Sequence, residues 1–334
     1  MSKKVITMDD VARLANVSKP TVSRALGGNP NVNAETREKI LSIAREHGYA
    51  VNSNAKKLRQ KHTDTVAVML DFSSHRQHRI TDPFIFELLA GVSEALSIRN
   101  QDLLLSPSGL SDARSYQDFV NSRVVDGFIM LGQGANEELF LEMRKMKLPF
   151  VVWGGATEST NYCTVGSDNF LGGCLAGERF VQQGRKNVLF VGNTNHVELK
   201  LRRDGLKKAL EEADYALTFS ELAIEDFSFN VHYEAMAHHL KQGDVPDAIF
   251  AYSDTAAMAI VNALNEEGLE PNQDYSLIGY NDIAQASHFS PRLTTIRQDT
   301  FLAGSLLVEK YMAILSGNSP MPSTIPTDLI VRNT

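Results

Sequence analysis

The stretch Thr7-Met-Asp-Asp-Val-Ala-Arg-Leu-Ala-Asn-Val-Ser-Lys-Pro-Thr-Val-Ser-Arg-Ala-Leu26 reads as two short helices joined by a tight turn. Thr7 is placed to cap the first helix, and Asp9 and Asp10 fall in its first turn, where the positive end of the helix dipole favours carboxylates. Val11, Leu14 and Ala15 recur at helical spacing and are expected to face a core, and Asn16-Val17 breaks the run. Ser18 is a good cap for the second helix, and Pro20 is tolerated there because first-turn amides have no intrahelical acceptor. Gly27-Gly28 stops that helix. A third starts near Asn33, carries Ala34, Ile40, Leu41 and Ala44 on one face, and closes at Gly48. Residues 1–50 are therefore expected to form a three-helix headpiece built on a helix-turn-helix.

Charge gives this headpiece a partner. Residues 1–63 hold 12 Lys/Arg against 5 Asp/Glu, while the chain as a whole carries a net charge of −7. A basic head on an acidic body is the asymmetry of a nucleic-acid module joined to something else. Basic side chains displace counterions from phosphates, so binding to double-stranded DNA should be salt-sensitive. A merely solvated helical bundle explains neither the capped turn spacing nor the basic bias.

The body is expected to be α/β and doubly wound. Apolar runs at Val66–Leu70, Leu103–Leu105, Phe128–Leu131, Phe150–Trp153, Val188–Val191, Ala248–Ala251 and Leu277–Gly279 read as buried parallel strands. Helical stretches are expected at 84–99, 136–146, 170–183, 200–213, 231–241, 255–267 and 301–316. Such sheets bind ligands beyond the carboxyl ends of their strands. The expected organisation is a headpiece at 1–50, a hinge helix or linker at 51–63 and a two-lobed α/β domain at 64–334. Its first lobe is placed at about 64–160 plus 292–320, and its second at about 161–291. The segment Asn52-Ser-Asn-Ala-Lys-Lys-Leu-Arg-Gln60 holds helix formers but is too short to be a stable helix alone.

The chain from Val5 to Leu58 resembles the headpiece of the lactose-repressor family of bacterial transcription regulators. The likeness rests on Asp-Val-Ala (10–12), Val-Ser (17–18), Thr-Val-Ser-Arg (21–24), Thr-Arg-Glu-Lys (36–39) and Gly-Tyr (48–49). It continues through Asp82-Pro-Phe84, Val125-Asp-Gly127, Gly166-Ser-Asp-Asn169, Gly184-Arg185, Ser253-Asp254, Gly279-Tyr-Asn-Asp282 and Leu293-Thr-Thr-Ile296. The resemblance implies a ligand-responsive regulator, usually a repressor, whose two-lobed body at 64–334 serves effector binding and dimerisation and resembles periplasmic sugar-binding proteins. It implies base contacts from Lys19, Pro20 and Arg24, with Thr7, Ser18, Thr21, Ser23 and Asn33 near phosphates and Tyr49 in the same surface. Arg24 suits a guanine, whose O6 and N7 its guanidinium can bridge; Lys19 suits a guanine or a phosphate; Pro20 offers only shape or contact with a thymine methyl. In the hinge the resemblance implies that Asn52, Ala55 and Leu58 meet the minor groove, Leu58 as a wedge between central bases. A plain linker with an incidental leucine is the alternative there. Val51 stands where relatives often have proline, so hinge entry is expected to be looser.

For the effector, the resemblance points to Asp71, Phe84, Gln133 and Trp153 in the first lobe, then His196, Glu198, Arg202, Phe227, Ser253 and Asn281, with Gln298 on the last crossover. Arg202 and Glu198 suit sugar hydroxyls, and Trp153, Phe84 and Phe227 suit the apolar faces of a sugar. Phe84 and Phe227 read equally well as core residues, and Arg202 as a surface partner of Asp204 or Glu198. Two departures matter: a carboxylate common after the strand holding Trp153 is Gly154 here, and an acid of the later motif is Asn281. Together they suggest a wider, less charged pocket for a glucoside or oligosaccharide.

Other chemistries find little support. His75 and His78 have a ligand-like spacing without a nearby carboxylate pair or cysteine, so no metal is expected. No Walker lysine follows the Gly-Gly pairs, no G-x-S-x-G elbow occurs, and no acid/base pair stands out, so neither a cofactor nor catalysis is expected. The charged N-terminus without an apolar core, and the lack of any membrane-length apolar run, predict a cytoplasmic protein rather than a transport component. No leucine heptads follow Asp328, which favours a homodimer over a tetramer.

Overall fold

The computed structural model describes residues 6–49, 62–70, 82–107, 112–134, 136–156, 160–243 and 245–334. The chain divides into two compact units, Met1–Thr63 and Asp64–Thr334.

In the first unit, α1 (Met8–Ala15), α2 (Lys19–Leu26) and α3 (Ala34–Glu46) pack around Val11, Ala12, Ala15, Val22, Ala25, Val32 and Ile40. Each start is capped by the side chain before it. Thr7 and Asp10 form a reciprocal capping box, Ser18 accepts from the Thr21 amide, and Asn33 accepts from the Glu35 amide. Asn16 adopts the left-handed conformation that ends α1, with φ of 55°. The expected apolar face needs correction at three residues. Leu14 is exposed and Ala12 takes its place in the core, while Ala34 is exposed and Leu41 only half-buried. In α1, eight residues long, one step in phase decides which side chain faces inward.

The described residues of the second unit form two six-stranded sheets. The first contains β1 (Thr65–Leu70), β2 (Asp102–Pro107), β3 (Gly127–Leu131), β4 (Phe150–Trp153), β5 (Thr164–Ser167) and β11 (Ser323–Ile325), in the order β11-β5-β4-β3-β1-β2 and parallel throughout. The second contains β6 (Asn187–Val191), β7 (Thr218–Leu222), β8 (Ala248–Ala251), β9 (Ser276–Asn281), β10 (Thr294–Gln298) and β12 (Thr327–Ile330). Its order is β12-β10-β9-β8-β6-β7, with only β12 antiparallel to its neighbour. The helices are α4 (Pro83–Ile98), α5 (Ala113–Asn121), α6 (Glu137–Lys145), α7 (Asn169–Gln182), α8 (Val197–Glu211), α9 (Phe229–Lys241), α10 (Asp254–Glu266) and α11 (Thr300–Leu315). This is the two-lobed, doubly wound arrangement the alternating pattern implies.

The lobe limits differ from the sequence expectation. β5 pairs with β4, matching Trp153 with Val165, so the first sheet continues past residue 160 to Ser167. β10 pairs with β9, matching Thr294 with Ile278, so the second sheet runs past 292 to Gln298. α11 then packs on α4 in the first lobe, and the chain crosses once more between β11 and β12. These crossings escape a search for apolar runs because Thr-Val-Gly-Ser and Thr-Thr-Ile-Arg-Gln are mixed in polarity.

The three crossovers are tied together. The Ser167 hydroxyl bonds the Gln298 side-chain carbonyl, and the Thr327 hydroxyl donates to the Asp168 carbonyl at 3.3 Å. Beside them, α7 and α8 approach closely at glycines: a side chain at Gly173 would strike the Arg202 carbonyl. That contact brings Arg202 onto the first turn of α7.

Candidate functional site

On the headpiece, the first turn of α2 presents Ser18, Lys19 and Pro20 to solvent, with Arg24 exposed one turn later. Thr21 and Ser23 are half-buried on the same helix. Ser18 and Thr21 hydroxyls lie 2.8 Å apart, so one bonds the other. Thr7 and Asn33 are exposed at helix starts and spend side-chain oxygens on capping. The Thr7 hydroxyl also donates to Asp10, which holds that carboxyl below the usual range. Tyr49 is half-buried against the headpiece core, its amide donating to the Ala44 carbonyl at 2.8 Å. Asn52, Ala55 and Leu58, with Val51, lie outside the described residues, as do Asp71 and the His75–His78 pair.

The second site is a cleft at the carboxyl ends of the strands of both lobes. Phe84, Gln133, Trp153, His196, Glu198, Arg202, Phe227, Ser253, Asn281 and Gln298 all line it. Phe84 stands just after the Asp82 cap of α4, and its ring lies 6.0 Å from Trp153 at the end of β4. Facing them, Phe227 lies 4.6 Å from Tyr252 and 5.1 Å from His196. Ser253 caps α10 by accepting from the Ala256 amide at 3.1 Å. Phe84 is at once buried and cleft-lining, so its core and binding readings do not compete.

Polar groups in the cleft are held by one another. Arg202 is buried, donates to Asn169 Oδ1 at 2.8 Å and to the Tyr252 carbonyl at 2.6 Å, and covers the Tyr280 ring at 3.5 Å. Its alternative as a surface ion-pair partner is therefore overturned; Arg203, next along, is the residue that meets Asp204, at 2.6 Å. Gln298 Nε2 donates to Asn281 Oδ1 at 2.6 Å, extending the chain from Ser167. Gln133 Nε2 donates to the Tyr162 hydroxyl at 2.7 Å, which fixes the amide and leaves its buried Oε1 without a donor among the described residues. Burial pushes the Asp82 carboxyl up to about 6, against the opposing pull of the Phe84 amide and the Arg202 guanidinium.

The suggested extra width at Gly154 is corrected by Gln133. A Cβ at 154 would lie 2.6 Å from Gln133 Oε1 and 2.8 Å from its Cβ. The Gln133 side chain, from just past the end of β3, fills the space that a side chain at 154 would need.

Comparison with known proteins places this geometry. Residues 7–52 match the family model for bacterial regulatory proteins of the lacI family, and residues 178–334 match a periplasmic binding protein-like domain. The ribose operon repressor of Haemophilus influenzae is 31% identical over 310 residues, covering 92% of this chain and 91% of the repressor. The chain belongs to the lacI family of bacterial regulatory proteins. It is a ligand-responsive, DNA-binding transcription regulator and not an enzyme. Catabolite control protein A of Priestia megaterium is 30% identical over 318 residues, covering 92% of both chains. The lac repressor dimer bound to operator and an anti-inducer shares the fold over 99% of both chains, with a TM-score of 0.85 at 24% identity. A CelR–cellobiose complex is similar at a TM-score of 0.72 and 27% identity, over 98% of this chain and 99% of that one.

Within this lacI-family regulator, sequence reasoning missed Asp82, Ser167, Asn169 and Tyr252, all of which line the cleft. The signal was present: Asp82 opens the Asp-Pro-Phe motif, and Ser167 and Asn169 bracket a helix cap at the end of a strand. Tyr252 precedes the Ser253 cap in the same way.

Proposed function

We propose that this regulator represses carbohydrate-utilisation genes, binds a near-palindromic operator as a homodimer with one headpiece per half-site, and responds to a neutral sugar or glycoside held in the cleft. The observation that carries the ligand class is the lining itself. Four carboxamides, Gln133, Asn169, Asn281 and Gln298, stand among the polar groups. Each carboxamide has two amide hydrogens and two oxygen lone pairs, so beyond the bonds made within the cleft it keeps capacity to meet a sugar hydroxyl as donor or acceptor. Aromatic rings from both lobes, Phe84 and Trp153 opposite Phe227 and Tyr252, supply surfaces for the C–H faces. Buried Arg202 is already engaged by Asn169 and Tyr252, and the carboxylates Asp82 and Glu198 also face the space, which disfavours an anionic ligand. The similar CelR structure holds cellobiose, and a lacI-family regulator of Enterococcus faecium with 25% identity holds ribose. The lac repressor binds operator as a dimer, which supports the assembly proposed here.

Lys19, Pro20 and Arg24 would read base edges; Thr7, Ser18, Thr21, Ser23, Asn33 and Tyr49 would sit near the backbone; Asn52, Ala55 and Leu58 would meet the minor groove. The working place is the cytoplasm, where the operator is. Among the described residues no helix is long and apolar enough to cross a membrane. Gel shifts of the protein with the DNA upstream of its own gene, repeated across a panel of sugars, test the proposal. Retarded DNA that one neutral sugar alters and phosphorylated sugars do not is the expected result. A shift that responds only to acidic or phosphorylated ligands would overturn the ligand class.

A further inference from the structure

On the exposed side of the headpiece, Lys19 Nζ donates to Asp9 Oδ2 at 2.7 Å. The pair joins the first turn of α1 to the first turn of α2, with the lysine side chain 53% and the aspartate 67% exposed. An ion pair this open contributes about 0–1 kcal/mol to stability. It is also a poor arrangement for simple adhesion to DNA, since Asp9 adds negative charge at the helix end that must meet phosphates. The recognition helix of a helix-turn-helix enters the major groove by its N-terminal residues, so both charges arrive at the bases together. Pro20, next to Lys19, brings no donor of its own.

We propose that Asp9 and Lys19 act as one composite reader of a single G·C base pair in each half-site. In the major groove a guanine presents two acceptors, O6 and N7, and its paired cytosine presents the N4 amine as a donor. A lysine ammonium has three donors. One is held by Asp9, and the others remain for the guanine. The Asp9 carboxylate accepts from Lys19 through Oδ2, and its other oxygen is available to the cytosine amine. Reversing the base pair exchanges donor and acceptor, and an A·T pair offers neither pattern in that order, so the carboxylate discriminates where a lone lysine would not. Lysine alone is a flexible point charge that settles on any phosphate or purine acceptor. Asp9 converts it from an adhesive charge to a selective one, at some cost in affinity for DNA in general. The proposal rests on the headpiece reading DNA through α2.

Selection of binding sites from randomised duplexes by the full-length protein tests this, alongside Asp9→Ala, Asp9→Asn and Lys19→Ala. The wild type should select one G·C position per half-site that both Asp9 variants and Lys19→Ala lose, discrimination falling from roughly tenfold to near none. The Asp9 variants should bind unrelated DNA more tightly, with the log–log salt dependence steeper by about one per headpiece as Lys19 becomes free for phosphate. Asp9→Asn preserves the shape of the side chain, and thermal unfolding matched to the wild type excludes a folding effect. Identical selected sequences for wild type and Asp9→Ala would overturn the proposal. So would Asp9 and Lys19 variants that lose preference at different positions, or weaker binding of all DNA together with a lower melting temperature. Failure of the wild type to select any DNA would instead remove the operator reading beneath it.

Discussion

Gln133 shows how a single residue can be built for a partner the protein does not supply. Its amide nitrogen is fixed by Tyr162, and its buried carbonyl oxygen, in a residue that lines the cleft, has no donor among the described residues. A buried unpaired acceptor costs about 1–3 kcal/mol, a debt that a ligand hydroxyl can cancel. Gln133→Leu should weaken effector binding about tenfold, the value of one hydrogen bond near 1.4 kcal/mol. The same change strands the Tyr162 hydroxyl, so thermal stability should fall. Adding Tyr162→Phe should restore stability and leave affinity low. Calorimetric titration with the effector, paired with melting curves, separates these effects. Full affinity in Gln133→Leu would mean that the carbonyl does not read the ligand. The sequence placed Gln133 after a strand ending at Leu131; which of its two polar atoms is spoken for depends on Tyr162, far along the chain, and no local pattern carries that.

At the scale of elements, legibility followed apolar continuity. The central strands β1, β3, β4, β6 and β8 are buried along nearly their full lengths and stand out as apolar runs. β5, β7, β10, β11 and β12 do not, since they are short, edge-placed or interrupted by Gly, Ser, Thr and charged residues. α5 was missed for the same reason, as only Ala113 and Tyr116 of its nine residues are buried. These unread pieces include the crossovers, so the lobe limits moved while the α/β architecture held. The cleft residues were more legible than the strands carrying them, because caps and motifs mark strand ends even where periodicity is weak. One element pair makes the consequence testable. α7 and α8 meet at Gly173 and Gly205, where an added Cβ would strike the carbonyls of Arg202 and Phe170 respectively. Backbone cannot yield as a flexible side chain does, so overpacking at Gly173 should exceed the small helix-propensity gain of alanine. Gly173→Ala is expected to lower unfolding stability by about 1–3 kcal/mol in urea. It should also impair effector response, since Arg202 would be displaced from Asn169. A neutral or stabilised variant would contradict the close approach.

Over the whole molecule, two linkages connect these parts to behaviour. The first is with protons. Asp254 is fully buried, accepts from the Thr295 hydroxyl at 2.5 Å and from the Ile283 amide at 2.9 Å, and burial pushes its carboxyl up to about 8. Between pH 4 and 8 the folded protein therefore holds a proton that an unfolded aspartate has released. Its contribution is fully present below pH ~4, where both states are protonated, and is lost as pH rises through about 8. Asp254→Asn should remove that slope, so the stability difference between variant and wild type should move in the variant's favour from pH 5 to pH 8 in urea titrations. The second linkage is with ligands. An effector changes operator affinity only through its different affinities for the two states of the protein. The coupling is reciprocal, so a sugar that weakens operator binding by a given factor must itself bind the operator complex more weakly by that same factor. Titrating the effector into free protein, and then into protein saturated with operator duplex, measures one side; gel shifts with and without saturating effector measure the other. Equal factors are required if the cleft and the headpiece communicate at equilibrium. An effector that releases DNA but binds both forms with equal affinity would show that release has another cause, such as direct competition for the headpiece. The salt dependence of each arm then locates the change. Loss of phosphate contacts alters the slope for operator binding, whereas a neutral sugar entering the cleft of the free protein should titrate with little dependence on salt.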